Sequence, residues 1–310
     1  MKRVVKATLV VITTTLSAWS GPLQREQVSA QAKWVLHLDA EKFRTSKLGQ
    51  YYIENFLEKQ ISDAQTTLGL DLGPFLHSLK SATIYGMRVG QGADSEAVLL
   101  MQSDPDAVGD IENYLVTHST KGKKSKLRQI QTEPFALFKL DQLFAAPLTN
   151  GMVLLSKSQH GVRTAWDVLN GKEENAVTAK RFTELSSGTN NVILAAGLDG
   201  VGEDTPLPPN AKIFRKVEYA RVMLGERGEQ MFLNISLKTT STELAMQMRL
   251  VVEGLIAWGA IEKGDDQNLQ LLVKSAKVTA SDQVVSASFE LPSAKVLEVA
   301  KQGREPKTVK

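Results

Sequence analysis

The chain has 310 residues, 42% hydrophobic and 23% charged, the balance of a globular protein long enough to bury a sizeable core. It contains no cysteine, which excludes disulfides, thiolate metal sites and cysteine nucleophiles together. The formal charge of +3 belongs to the first segment. Residues 1–32 hold four of the 37 basic residues and one of the 34 acidic ones, leaving 33 of each and no net field that would steer the remainder toward nucleic acid.

That first segment reads as an export leader. A cationic start, Met1-Lys2-Arg3-Val4-Val5-Lys6, precedes an uncharged apolar run from Ala7 to Trp19, and Gly21-Pro22 then breaks the helical pattern. Small residues at Ala30 and Ala32 place the expected cut after Ala32, with Ser20 as the competing site, so the expected location is the periplasm or the secreted space. The run of 13 residues is short of the roughly 20 needed to span a bilayer. Without cysteine there is no lipoprotein anchor, and Lys2-Arg3 is not a twin-arginine pair.

In chain order, Trp34-Val35-Leu36-His37-Leu38-Asp39 alternates as a strand with Trp34, Leu36 and Leu38 inward and His37 beside Asp39 on the polar face. A helical stretch with Leu48, Tyr52, Phe56 and Leu57 on one stripe follows, then a turn and short helix over Leu70–Leu79. Strands are expected at Ala82–Val89 and Glu96–Gln102, joined through Gly90–Asp94. A helix runs from Asp104-Pro105 to about His118. Strands over Leu127–Leu140 and Met152–Lys157 flank Asn150-Gly151, and a helix carrying Val162, Ala165, Trp166 and Leu169 stops at Asn170-Gly171.

The same grammar restarts at residue 172. After a polar stretch with a short helix near Phe182 and Leu185, a strand spans Asn191–Leu198, and a proline-rich loop covers Gly200–Asn210. A hairpin, Val217–Leu224 with Gln230–Lys238, turns at Gly225–Gly228. Thr240 and Glu243 suggest a capping box for a helix with Leu244, Met248, Val251, Leu255 and Trp258 at helical spacing. Its charges Arg249 and Glu253, one turn apart, argue for a packed helix with an outer ion pair, so no membrane-spanning segment is expected after the leader. Strands over Leu269–Thr279 and Val284–Leu291, a helix over Ser293–Lys301 and a disordered tail at 303–310 complete the chain. The predicted class is α+β: mostly antiparallel sheet with helices on one face, in two similar strand-strand-helix-strand-strand-helix halves, 33–171 and 172–302.

Lys33–Asp39, Ser81–Gly86, Asn150–Leu155 and the helix ending Leu169-Asn170-Gly171 resemble a loose group of uncharacterised exported bacterial proteins, mainly over residues 33–200. The resemblance implies no activity and no site residues.

Motifs that dictate chemistry are missing from the sequence: no Gly-x-Ser-x-Gly, no His-Glu-x-x-His, no phosphate loop and no dinucleotide fingerprint. The four histidines, His37, His77, His118 and His160, fall on separate elements, so no catalytic residue, metal site or cofactor is assigned. The one dense charge cluster is Lys121, Lys123, Lys124, Lys126 and Arg128, a candidate polyanion contact without interleaved aromatics. Three of the four tryptophans, Trp34, Trp166 and Trp258, are expected in the core. These readings favour a non-catalytic binding or interaction protein of the cell envelope or secreted space, with an envelope protein or polyanionic surface as partner. A carrier of an apolar ligand between sheet and helices, or a hydrolase with dispersed active-site residues, are the alternatives.

Overall fold

The computed structural model describes residues 21–68, 70–89, 96–119, 127–186, 191–200, 209–262 and 267–302. The expected leader run Ala7–Trp19, the Gly90–Asp94 loop, most of the proline-rich loop and the 303–310 tail lie outside the described residues.

Twelve strands form one antiparallel sheet: β1 Trp34–Asp39, β2 Ser81–Gly86, β3 Val98–Gln102, β4 Leu127–Gln131, β5 Leu137–Leu140, β6 Leu143–Leu148, β7 Met152–Ser156, β8 Val192–Leu198, β9 Val217–Arg227, β10 Gln230–Thr239, β11 Lys277–Ser281 and β12 Val284–Pro292. Their order is β11-β12-β10-β9-β8-β1-β2-β3-β7-β6-β5-β4. The helices are α1 Ala40–Thr45, α2 Lys47–Tyr52, α3 Glu58–Leu68, α4 Gly73–His77, α5 Pro105–His118, α6 Gln159–Leu169, α7 Thr242–Glu262, α8 Gln267–Ser275 and α9 Ser293–Gln302. The expected α+β class with an antiparallel sheet is what the chain adopts.

The first strand of each half, β1 and β8, pair at the centre, with Leu36 opposite Ala196. From there each half runs outward alike: a hairpin (β2-β3 or β9-β10), a long helix (α5 or α7), then a return strand beside the hairpin (β7 or β12) and a closing helix (α6 or α9). The first half adds β4 and β5 at its outer edge.

Both sheet faces are apolar. One carries Val35, Tyr85, Val98, Leu154, Ala195 and Met223, and is covered by α6 together with residues 21–32 and 172–186. Leu23, Val28 and Ala32 are buried there, and Val28 accepts a backbone hydrogen bond from Ala176. Residues 21–32 are therefore structural, and a cut after Ala32 would strip Val28 from the core. The opposite face carries Leu36, Ile84, Leu99, Leu194 and Val222. There α4 and α5 cover Met101, Val153 and Leu155, while α7 covers Leu237, Val278, Ala280 and Val285.

Four local expectations are corrected. On β1 the buried residues are Val35, His37 and Asp39, while Leu36 is exposed, because the two apolar faces are not covered equally over the central strands. The strand expected over Leu127–Leu140 is two strands separated by residues 132–136, where Glu133-Pro134 is cis, and β6 was not anticipated. The strand expected from Leu269 is the helix α8 up to Ser275, followed by the short β11. The cap of α7 is Ser241, whose Oγ accepts from the Leu244 N–H at 3.1 Å, in place of a Thr240–Glu243 box.

Candidate functional site

The most unusual surface of the molecule is α7. Its inner face places Leu244, Ala245 and Met248 in the core, against the β10–β12 end of the sheet. A soluble helix seated this way normally turns charges outward. This one does not. Leu250 is 59% exposed, Trp258 58% and Ile261 79%, with Met246 and Leu255 also exposed. Between them stand Gly254 and Ala257, both exposed, so the outer stripe from Leu250 to Ile261 carries no charge.

The ion pair expected on that outer face lies beside it. Arg249 Nη1 donates to Glu253 Oε1 at 2.5 Å, and both side chains are only partly exposed. On a helical projection with 100° per residue, both fall between the core stripe and the apolar outer stripe. The two charges thus satisfy each other at the flank and leave the outer stripe apolar. Thr242–Ile261 is long and apolar enough to cross a membrane, yet its first turns are fixed in the protein core. The geometry therefore holds α7 lengthwise along the surface. None of residues 249–261 is fully buried, and from α8 Gln270 Nε2 donates to the Ala260 carbonyl at 2.9 Å. Leu271 on α8 is exposed as well.

The residues singled out in the sequence do not converge. Lys121, Lys123, Lys124 and Lys126 lie outside the described residues, and Arg128 sits on β4 opposite Lys139. His77 ends α4, His118 ends α5 stacked 4.0 Å from the Tyr114 ring, and His160 opens α6. His37 is buried, contrary to its expected surface position: Nδ1 lies 2.8 Å from Thr83 Oγ1 and Nε2 lies 3.1 Å from the Gly21 carbonyl. Burial lowers its pKa from the ordinary histidine value, against the raising pull of the Gly21 carbonyl and Asp39. Asp39 is occupied in capping α1, accepting from the Lys42 N–H at 2.9 Å and pairing with Lys42 Nζ at 3.1 Å. Among the described residues no group of three or more histidines and carboxylates is placed to hold a metal ion.

The tryptophans divide. Trp166 packs against the core with Phe135 at 5.2 Å, and Trp34 lies over Gly86, donating from Nε1 to the Arg88 carbonyl at 2.6 Å. Trp258 is exposed, and core packing does not explain it. Its position on a helical stripe gave the same sequence signal as a core residue, so only the fold reveals that it faces out.

Two depressions complete the geometry. An apolar slot of about 240 Å³ lies between the first helices and the sheet, lined by Leu38, Phe43, Ile53, Leu57, Leu76 and Leu79. A larger polar basin of about 580 Å³ sits over β8 and β9 beneath residues 179–185.

No family model and no curated protein matches the chain. Among solved structures the chain is similar to the treponemal protein TP0453 in three crystal forms. Form III is 10% identical, with a TM-score of 0.49 over 91% of this chain and 98% of that one. Form I is 11% identical and form IV 10%, each with a TM-score of 0.48 over 90% of this chain and 96% of that one.

Proposed function

We propose that the protein is a non-catalytic binding protein of the exported space that docks on a lipid surface through the outer face of α7. The observation that carries this reading is the uncharged stripe Leu250–Ile261, held outward on a helix whose inner face is fixed in the core. Contiguous exposed apolar surface of this kind marks an interaction site. A bilayer suits it better than a protein groove. The stripe is convex, is apolar to its far end, and carries a tryptophan, the side chain that settles at membrane–water boundaries. A protein interface would ring such a patch with polar groups. Seating Leu250, Trp258 and Ile261 in hydrocarbon contributes about 1–2 kcal/mol apiece, since each already keeps part of its surface covered.

Export rests on the Lys2–Trp19 pattern, with removal after Ser20 as the cut that leaves the buried residues Leu23 and Val28 in place. The apolar-ligand carrier is less well supported, because the 240 Å³ slot is below the roughly 300–1,000 Å³ of ligand pockets.

The test is flotation of the chain from Gly21 onward with phosphatidylethanolamine–phosphatidylglycerol vesicles. The protein is expected to rise with the vesicles, and the pair Trp258→Glu and Ile261→Glu to lower the bound fraction at least tenfold while leaving the fold intact. Protein that stays at the bottom of the gradient overturns the reading. So does a dimer that forms through α7 and excludes vesicles.

A further inference from the structure

We infer that the protein forms a two-fold symmetric dimer through the outer edge of β11, with the β11 strands of two copies paired antiparallel.

The sheet ends in β4 on one side and β11 on the other, and among the described residues no strand pairs with the outer edge of either. Natural sheets blunt such edges with bulges, prolines or charges, because unpaired N–H and C=O groups recruit another strand. The β4 edge is blunted. Its register slips between Gln129 and Gln131, and Arg128 stands opposite Lys139, so a second β4 would add like charge to like charge. The β11 edge is not. Lys277–Ser281 pairs with β12 in unbroken register, holds no proline, and packs Val278 and Ala280 against the core beneath α7. Lys277, Thr279 and Ser281 alternate with them and are exposed.

The strand that fits this edge is a second β11. Antiparallel pairing about Thr279 sets that residue against the partner's Thr279, Val278 against the partner's Ala280 and Lys277 against the partner's Ser281. No like charges oppose each other in this register. The two Val278–Ala280 pairs continue the apolar row from one protomer into the other, and a threonine pair at the centre is a favourable cross-strand pair. Lys277 is the strand's one charge, and it would repel only if it met itself. Asp282 follows Ser281 in the turn to β12, so the register instead brings Lys277 of each protomer beside the partner's Asp282. Both residues are exposed, and neither belongs to an ion pair among the described residues. Two symmetric Lys–Asp contacts at the rim set register and orientation more than they add affinity.

The two-fold axis of such a strand pair stands perpendicular to the sheet, so each sheet face continues from one protomer to its partner. Both α7 helices then lie on one side with their outer stripes pointing the same way. The dimer does not rest on the lipid reading, but it would offer one bilayer two stripes at once.

Sedimentation velocity of the chain from Gly21 onward, without vesicles, tests the pairing. A dimer whose population rises with protein concentration across the micromolar range is expected. Thr279→Lys, at an exposed position, sets lysine against lysine at the axis and should weaken the dimer roughly tenfold or more. Lys277→Glu should weaken it too, and adding Asp282→Lys should restore it. Because the chain contains no cysteine, the place of contact can be read directly. Thr279→Cys should oxidise to a disulfide-linked dimer, since directly opposed Cα atoms lie about 5 Å apart, within disulfide reach. Ile130→Cys on the β4 edge should stay monomeric. A protein that remains monomeric, a dimer indifferent to Thr279→Lys, or equal cross-linking at positions 130 and 279 overturns the inference. With lipid absent throughout, loss of the dimer and loss of vesicle binding are read separately. Should Thr279→Lys fail to fold, the cysteine pair decides.

Discussion

Single residues in this fold are most informative where a polar group is buried. Tyr85 is fully buried on the face covered by α6, and its hydroxyl has no hydrogen-bond partner among the described residues. Desolvation of the phenolate raises its pKa well above the ordinary tyrosine value. Removing an unpaired buried hydroxyl restores no lost contact and relieves a desolvation cost, so Tyr85→Phe should raise stability by about 1 kcal/mol, read as a higher urea midpoint. A midpoint that falls would mean that the hydroxyl is satisfied, for instance by a trapped water. His37 makes the complementary prediction. Its folded pKa lies below the unfolded value, so the unfolded chain binds the proton first. Its stabilising effect is complete above about pH 6.5 and declines as pH falls from there toward the folded pKa. Urea midpoints of His37→Gln should show a shallower loss between neutral and mildly acidic pH than the parent. Equal slopes would assign that loss to other groups. The sequence could not place His37, because alternation along Trp34–Asp39 shows that two faces exist without showing which is buried. Here both faces of β1 are apolar in places, and the one with His37 and Asp39 is the better covered.

At the scale of elements, strongly periodic segments were legible and segments ruled by pairing were not. The bounds expected for the α5 region match Pro105–His118, because Asp104-Pro105 fixes the start and the polar residues after His118 carry no further stripe. β6 was hidden by Pro147, which demotes a strand. It is tolerated because β5 pairs only with Leu143–Ala145, leaving Pro147 beyond the reach of that neighbour. For α8, a run such as Leu271-Leu272-Val273 is equally good as a buried strand or a short helix, and local pattern cannot choose. The same limit applies to α7: the sequence gives its length and stripe, but the missing outer partner is visible only in the fold. That asymmetry is testable within one helix. Met248→Ala on the inner face should cost about 3 kcal/mol through the cavity it leaves. Leu250→Ala, two residues on but outward, should change stability by less than about 0.5 kcal/mol and lower vesicle binding instead. Comparable losses of stability would show that the outer stripe is packed in the free protein. At the Asn150-Gly151 turn, glycine is required by φ of +82° and by the Ser103 carbonyl, 2.5 Å from where a Cβ would stand. Gly151→Ala should therefore destabilise by about 2 kcal/mol or more, measured by thermal melting.

Across the whole molecule, the repeated element order acquires a physical meaning from the β1–β8 pairing. Each half taken alone would end in an open strand at its inner edge, presenting unpaired N–H and C=O groups along an apolar ribbon. Joining the two removes both edges at once, and the core continues across the junction, with Val35 and Tyr85 in the same cluster as Ala195 and Met223. The connection reinforces this. Residues 172–186 pack beside Leu23 and Val28 on the first half, and their Leu185 and Phe182 also contact Gly197 on the second. A boundary at residue 172 thus falls inside a shared core. The sequence showed the repetition but not the join, because strand pairing between β1 and β8 links residues some 160 positions apart and leaves no local pattern. The consequence is a definite behaviour of fragments. Residues 191–302 expressed alone should aggregate or melt without cooperativity, since the β8 edge and the apolar face of Ala195 and Met223 are uncovered. Co-expressed with residues 21–186, they should be recovered as a soluble one-to-one complex whose circular dichroism matches that of the intact chain. A monomeric 191–302 fragment with a sharp thermal transition would instead establish two independent domains, and the sheet would then be a docking of finished halves rather than one folding unit.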